Sequence, residues 1–125
     1  GVAVRVEALV SGTSDVVGPE TTLGGAAEVL IERSIGALAV VDGRLVIGIL
    51  TDRDVVRAVS RGADFDDPVT VWMTDAPDTV SPEVSVSEAA DWLMETGYRH
   101  LPVTVGDELL GIVDIRDVLW ALRKT

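Results

Sequence analysis

The apolar positions in the first half of the chain follow two periods. Between about Leu23 and Arg33 they recur three or four residues apart, which predicts an amphipathic helix. Its apolar face consists of Leu23, Ala26, Ala27, Leu30 and Ile31. Ala37–Val41 and Leu45–Leu50 are continuous apolar runs, and the Asp42-Gly43 pair between them is a strong turn signal. These runs therefore predict a β-hairpin directly after the helix.

A second helix is predicted from about Asp52 to Arg61, and we expect it to bury Val55, Val56 and Val59. Val16-Val17 predicts a short strand before the first helix, and Val4–Leu9 is an amphipathic start to the chain. The predicted order of the first half is strand, helix, strand, strand, helix.

The same order returns at a constant offset of 63 residues. Residues 15–62 align with 78–125 without a gap, and 17 of the 48 pairs are identical. The second copy is predicted to contain a strand at Thr79-Val80, a helix from Val86 to Glu95, strands His100–Val105 and Glu108–Val113, and a helix from Ile115 to Arg123. Two copies of this length predict two similar halves related by a pseudo-twofold axis.

The copies suggest a first repeat at 9–62, a polar linker at 63–71 and a second repeat at 72–125, with Val71-Trp72-Met73 opening the second half. Ser85 and Glu88 predict a capping box at the start of the Val86 helix.

Composition narrows the class of protein. Hydrophobic residues make up 47% of the chain and aromatic residues only 4%, which suits strands covered by amphipathic helices. The net charge of −11 disfavours nucleic acid and anionic membranes as partners. Without cysteine, a disulfide framework and a thiolate metal site are excluded, and we expect a cytoplasmic protein. One histidine and no set of residues with metal-ligand spacing argue against an enzyme.

Candidate chemistry lies where an apolar strand meets a helix, from Gly48 to Asp54 and from Gly111 to Asp117. Helix N-termini present unpaired amides that attract anions. Thr51 adds a hydroxyl, and Asp54 adds a carboxylate that can accept two ribose hydroxyls. Thr51 and Asp54 at this spacing are equally typical of a helix cap with no ligand.

The doubled element order, with the segments GILTDRD (residues 48–54) and YRHLPV (residues 98–103), resembles a tandem pair of cystathionine-β-synthase (CBS) domains, a Bateman module. The resemblance covers nearly the whole chain. It implies a mixed α/β fold of the α+β type, in which two pseudo-twofold-related β-α-β-β-α repeats pack through their sheets. It also implies clefts between the halves that bind AMP, ADP, ATP or S-adenosylmethionine, magnesium being a possible companion ion, and a regulated partner protein of unknown identity.

By position, the resemblance implies that Asp54 and Asp117 hold ribose hydroxyls, that Thr51 contacts ribose or phosphate, and that the backbone near Val17 and Val80 meets the base. Basic side chains complete the predicted ligand-binding set: Arg53, Arg99, His100 and Arg116. Arg99 and His100 would approach phosphate, although a lone histidine is often a structural group. Arg53 is the member of the stripe Arg53, Arg57 and Arg61 nearest the helix N-terminus, and that stripe is equally typical of a solvated helix face.

The two copies differ at one position of this motif, because Asp114 stands where the first copy has Thr51. A carboxylate repels phosphate, so the Asp54 cleft is the preferred nucleotide site. The Asp117 cleft would be empty, hold an uncharged adenosine derivative, or need a cation between carboxylates.

Trp92 and Trp120 lie on the first and last helices of the second copy and suit core positions or a homodimer interface. The resemblance implies a regulatory sensor of adenosine nucleotides. The alternative is a non-catalytic dimerisation or interaction module whose clefts bind no nucleotide.

Overall fold

The computed structural model describes residues 4–10 and 15–124. The chain divides into two compact units. The first repeat unit is Asp15–Pro77, and the second repeat unit joins the described residues 4–10 to residues 78–124. The limits 9–62 and 72–125 remain a prediction, because they describe similar stretches of sequence. The compact units are instead defined by which residues pack together.

The first repeat unit contains a small sheet and three helices. Its elements are β1 (Val16–Val17), α1 (Leu23–Arg33), β2 (Ala37–Asp42), β3 (Leu45–Thr51), α2 (Asp52–Ser60), α3 (Val69–Trp72) and β4 (Thr74–Asp75). Strand β2 pairs in parallel with β1 and antiparallel with β3, and β4 is antiparallel to β3. The core of this unit consists of Leu23, Ala26, Leu30, Leu38, Val40, Leu50, Ala58 and Val69.

The second repeat unit repeats this plan. It contains a 3₁₀ turn (Val6–Leu9), α4 (Val86–Thr96), β5 (His100–Val105), β6 (Glu108–Asp114) and α5 (Ile115–Arg123). Val80 forms a parallel bridge with Val103, as Val17 does with Val40 63 residues earlier. The antiparallel hairpins shift register at equivalent places, between Val40 and Val41 and between Val103 and Thr104. The predicted α+β class is confirmed.

Each unit is completed by the segment that precedes the other copy in the sequence. The amide of Val6 donates to the carbonyl of Val84 and the amide of Val86 donates to that of Val4, both at 2.8 Å. In the first repeat unit, the amides of Val69 and Leu23 make the equivalent bonds to Thr21 and Asp67, also at 2.8 Å. Val6 and Val69 are both fully buried in the core that they join.

The segment predicted as a linker, 63–71, contributes to the core of the first repeat unit. It ends in α3, and Trp72 and Met73 pack against the same core. The indole Nε1 of Trp72 donates to Asp67 Oδ2 at 3.0 Å, which fastens the short helix to the acidic turn before it. Polar composition suggested a connection here, but the apolar side chains of α3 are needed to close the core.

Two local predictions also differ from the structure. On α2, only Val55 of the predicted apolar face packs against the core, while Val56 and Val59 are exposed and Asp54 and Ala58 lie inward. At α4, the Ser85 hydroxyl accepts from the Glu88 amide at 3.0 Å, but among the described residues Glu88 does not return the bond, so half of the capping box forms.

Candidate functional site

The helix α2 begins with a complete capping box. The amide of Asp54 donates to Thr51 Oγ1 at 3.1 Å, and the amide of Thr51 donates to Asp54 Oδ2 at 2.9 Å. The helix-cap interpretation of this motif is therefore realised in the fold. It leaves the ligand role open, because an ionised carboxylate offers about four acceptor positions.

Asp54 has a second partner that the sequence motif did not include. Arg57 Nη1 donates to Asp54 Oδ1 at 2.9 Å, one turn along the same helix. The Asp54 side chain is only 4% exposed, whereas that of Arg57 is 47% exposed. Burial of a carboxylate is costly unless it is paired, and Arg57 together with the Thr51 amide supplies that pairing. The sequence shows that Arg57 follows Asp54 by three residues. The position of Arg57 in a basic stripe on a polar helix face gave no indication of this ion pair.

The other predicted residues of the first repeat unit are located as follows. Val17 lies in β1 and pairs with Val40. Arg53 is exposed in the first turn of α2, where its amide donates to Asp52 Oδ1 at 2.8 Å. The structure joins Thr51 and Asp54 directly by hydrogen bonds. Arg53 lies in the first turn of the same helix, and Val17 lies in β1.

Gly48, which opens the motif, has a packing role. A Cβ atom at this position would collide with the side chain of Met73, whose thioether lies against the glycine. Gly48 also pairs with Asp75 of β4, so the glycine lets the returning chain approach β3 closely. The glycine at the start of GILTDRD thus serves the fold of the unit.

The equivalent junction of the second repeat unit is built around Asp114. Its Oδ1 accepts from the Arg116 amide at 2.7 Å and from Arg116 Nε at 3.1 Å, and its Oδ2 accepts from Arg116 Nη2 at 3.0 Å. His100 Nε2 lies 3.4 Å from the same Oδ2, because His100 and Asp114 are paired across β5 and β6. His100 and Arg116, both predicted ligand residues, therefore meet at a carboxylate of their own unit.

These contacts set the charge state of Asp114. Partial burial opposes ionisation of this carboxyl, but the hydrogen bonds from Arg116 and the charges of His100 and Arg116 outweigh it and lower the pKa below the usual 3.8. The pKa of Arg116 is raised in turn by its hydrogen bond with Asp114 and by that group's charge. An ionised Asp114, already holding cationic groups, explains how a carboxylate is accommodated where the first copy has a threonine.

The remaining predicted residues of the second repeat unit are more open. Asp117 is exposed, unlike its buried counterpart Asp54. Arg99 is exposed, and its carbonyl accepts from the amide of Ile115 at 2.8 Å, which places Arg99 beside the start of α5. Val80 is partly buried at its bridge with Val103.

Within residues 4–10 and 15–124, no helix is long and apolar enough to cross a bilayer. Over the same residues, no group of three or more His, Asp or Glu side chains is arranged to hold a metal ion.

Comparison with known proteins agrees with the doubled architecture. A family model described as the CBS domain matches this chain twice, over residues 8–61 and 66–124. The chain belongs to the CBS-domain family. The two matched segments confirm the tandem CBS pair indicated by the 63-residue repeat.

Several known proteins resemble this chain over most of its length. A 17.7 kDa protein encoded in the bps2 3′ region of Acidianus ambivalens is 38% identical over 122 residues, covering 96% of this chain and 74% of the relative. The CBS-domain protein ATU1752 from Agrobacterium tumefaciens is 30% identical and superposes with a TM-score of 0.84, covering 94% of this chain and 98% of that one. CBSX2, solved in complex with AMP, is 26% identical with a TM-score of 0.84 and covers 97% of each chain.

Proposed function

We propose that this CBS pair is a non-catalytic, cytoplasmic regulatory module that binds an adenosine nucleotide of the AMP, ADP or ATP class at the Asp54 site and transmits its occupancy to a partner protein. The observation that carries the proposal is the buried, ionisable Asp54 beside Thr51 at the N-terminus of α2. A helix N-terminus favours phosphate, and a fixed carboxylate suits a ribose diol. The complex of CBSX2 with AMP supports this choice of ligand.

The two units are unequal in this proposal. The first repeat unit offers a neutral hydroxyl, Thr51, beside the carboxylate that receives ribose. The second offers Asp114, whose carboxylate is bound by Arg116 Nη2 at 3.0 Å and lies 3.4 Å from His100 Nε2. We therefore place the preferred nucleotide site in the first repeat unit, with Thr51, Asp54 and Arg53 as its polar residues.

A thermal-shift series tests the sensor. AMP, ADP, ATP and S-adenosylmethionine are added separately, with and without magnesium, to the wild-type chain and to Asp54→Ala. Ligand at 100 times its dissociation constant should stabilise the wild type by about 2.7 kcal/mol, a rise of several degrees in Tm. We expect that rise to be lost in Asp54→Ala, because the carboxylate that receives ribose is gone.

Two matched variants are the controls. Asp117→Ala removes the equivalent carboxylate of the second repeat unit, and Asp52→Ala removes an exposed carboxylate two residues from Asp54. Both should keep the ligand-induced rise. A rise that survives in Asp54→Ala would contradict the site assignment, and no rise with any ligand would contradict the sensor and favour the dimerisation or interaction module.

We further propose that the module is a homodimer formed through its helices. Exposed apolar side chains recur at equivalent positions of both repeats, 63 residues apart: Ile31 and Met94, Val56 and Leu119, Val59 and Leu122. A second copy of the chain suits such a face, because the same apolar pattern occurs in both repeats and a symmetric interface pairs identical surfaces.

Trp92 and Trp120 differ in whether their side chains are available to a dimer interface. Trp92 stacks on Tyr98 with ring centroids 5.6 Å apart and packs against the core of its unit. Trp120 is 57% exposed, with the Lys124 ammonium 4.5 Å from its ring centroid. Sedimentation velocity should show that Trp120→Ala shifts the chain toward monomer, whereas Arg123→Ala, on the same helix, should not. An unchanged dimer in Trp120→Ala would contradict this interface.

A further inference from the structure

The contacts of Asp54 point to a role for Arg57 that goes beyond the residues of the CBS motif. Both carboxylate oxygens of Asp54 are held by the chain itself: Oδ2 by the Thr51 amide at 2.9 Å and Oδ1 by Arg57 Nη1 at 2.9 Å. Of about four acceptor positions on a carboxylate, the described residues fill two. That leaves two with respect to residues 4–10 and 15–124, which is the number that the vicinal hydroxyls of a ribose require.

We propose that Arg57 is a positioning residue for ribose recognition by Asp54. Its guanidinium holds Oδ1 in one direction and pairs with the buried carboxylate, so that the unfilled lone pairs are set before a ligand arrives. This inference rests on the proposed nucleotide function of the Asp54 site. A carboxylate held in place before binding distinguishes ribose from deoxyribose better than a mobile one. The reason is that no free energy of binding is spent on ordering its side chain.

Comparison of the two units supports a specific role over a routine helix ion pair. An exposed pair of this kind contributes little to stability, but Asp54 is 4% exposed. In the second repeat unit, Trp120 stands at the position of Arg57, and the equivalent carboxylate, Asp117, is exposed. There the guanidinium of Arg116 binds Asp114 instead. Burial of the motif aspartate and an arginine one turn later thus occur together, in the unit that keeps Thr51.

Direct contact of Arg57 with ligand phosphate is the main competing role, and sugar specificity separates the two. A positioning residue affects AMP and 2′-deoxy-AMP unequally, because only AMP offers both hydroxyls to Asp54. A phosphate-binding residue weakens both ligands by the same factor, since their phosphates are identical.

The experiment measures dissociation constants of AMP and 2′-deoxy-AMP by isothermal titration calorimetry on the full chain. The variants are Arg57→Ala, Arg57→Lys and a matched control, Arg61→Ala, which removes an exposed arginine one turn further along. Thermal melting of each variant verifies that it is folded, and Arg57→Lys keeps a cation should Arg57→Ala fail to fold.

We expect the wild type and Arg61→Ala to prefer AMP by about tenfold or more, since a bond from hydroxyl to carboxylate is charge-assisted. The preference should fall below about threefold in Arg57→Ala and be largely restored in Arg57→Lys. A wild-type preference retained in Arg57→Ala, even with both affinities reduced, would overturn the positioning role and leave the nucleotide site intact. A wild type that binds neither ligand would instead overturn the proposed function.

Discussion

Thr51 and Asp114 occupy the same position of the repeat, the N-cap of the helix after the hairpin, yet they have different partners. Thr51 exchanges two hydrogen bonds with Asp54. Asp114 turns to Arg116 and His100, and Asp117 is left exposed. The two junctions therefore engage different cations, and the carboxylate of Asp114 holds the Arg116 guanidinium because an ionised side chain attracts a guanidinium more strongly than a hydroxyl does.

The first prediction concerns the acidity of Asp114. Although burial opposes it, the hydrogen bonds from Arg116 hold the pKa of Asp114 below 3.8, so carboxyl-carbon NMR titration should give a lowered value in the wild type. Because the folded-state pKa is depressed, ionised Asp114 stabilises the fold above its unfolded pKa of about 3.9, and this contribution is lost as the pH falls through the depressed value. Arg116→Ala should raise the pKa of Asp114, whereas Arg123→Ala should leave it in place. An equal pKa in the wild type and Arg116→Ala would contradict the assignment.

At the scale of elements, close approach between β3 and the chain that returns after α3 depends on a single glycine. Met73 follows α3 directly, and its side chain fills the space that a Cβ atom of Gly48 would need. The pairing of β4 with β3 then continues from this contact, at Gly48 with Asp75 and Ile49 with Thr74. The glycine, the short helix and the short strand form one packing arrangement.

We predict that Gly48→Ala destabilises the chain by about 1–3 kcal/mol, the usual cost of overpacking a well-filled site. In the Met73→Ala background the same substitution should cost less by about 1 kcal/mol, because the colliding side chain has been removed. Urea denaturation of the four chains of this double-mutant cycle measures the coupling. Additive effects would show that Gly48 and Met73 act independently.

At the scale of the whole molecule, each core is completed by a segment outside its own copy of the repeat, and for the second repeat unit that segment lies at the other end of the sequence. Val6 joins the core that contains Val86 and Leu93, while Val69 joins the core that contains Leu23 and Leu38. The matching hydrogen bonds show that both segments use the same interactions. Neither sequence copy, 15–62 or 78–125, therefore contains all the residues of its core: the first lacks Val69 and the second lacks Val6.

This arrangement predicts that a substitution in residues 4–10 destabilises the second repeat unit more than the first. Val6→Ala removes two buried carbon atoms and should cost about 1–2 kcal/mol. Hydrogen exchange should become faster at the Val86 amide, which is bonded to Val4, more than at the Leu23 amide of the first repeat unit. Glu7→Ala, which removes an exposed side chain from the same segment, is the control. Faster exchange confined to residues 15–77 would contradict the packing of Val6 in the second repeat unit.

Much of this architecture follows from local sequence. The helix α1 and both hairpins were predicted to within a few residues, because hydrophobic period, Gly-containing turns and capping residues act over short distances. The constant offset of 63 residues likewise established two equivalent repeats without any structure. In the candidate site, the pairing of Thr51 with Asp54 is also predictable from local sequence, since a capping box is complete within four residues.

Tertiary structure alone decided which faces are buried and which segments complete each core. Helical period groups Val55, Val56 and Val59 but does not say which of them meets the sheet, and polar composition hid the core position of Val69 in the predicted linker. The contacts of Val6 with the second repeat unit join residues far apart in the chain, and the contact of His100 with Asp114 depends on the register of the β5–β6 hairpin. Such pairings depend on how whole elements pack, and the energy of that packing is not encoded in any short window of sequence.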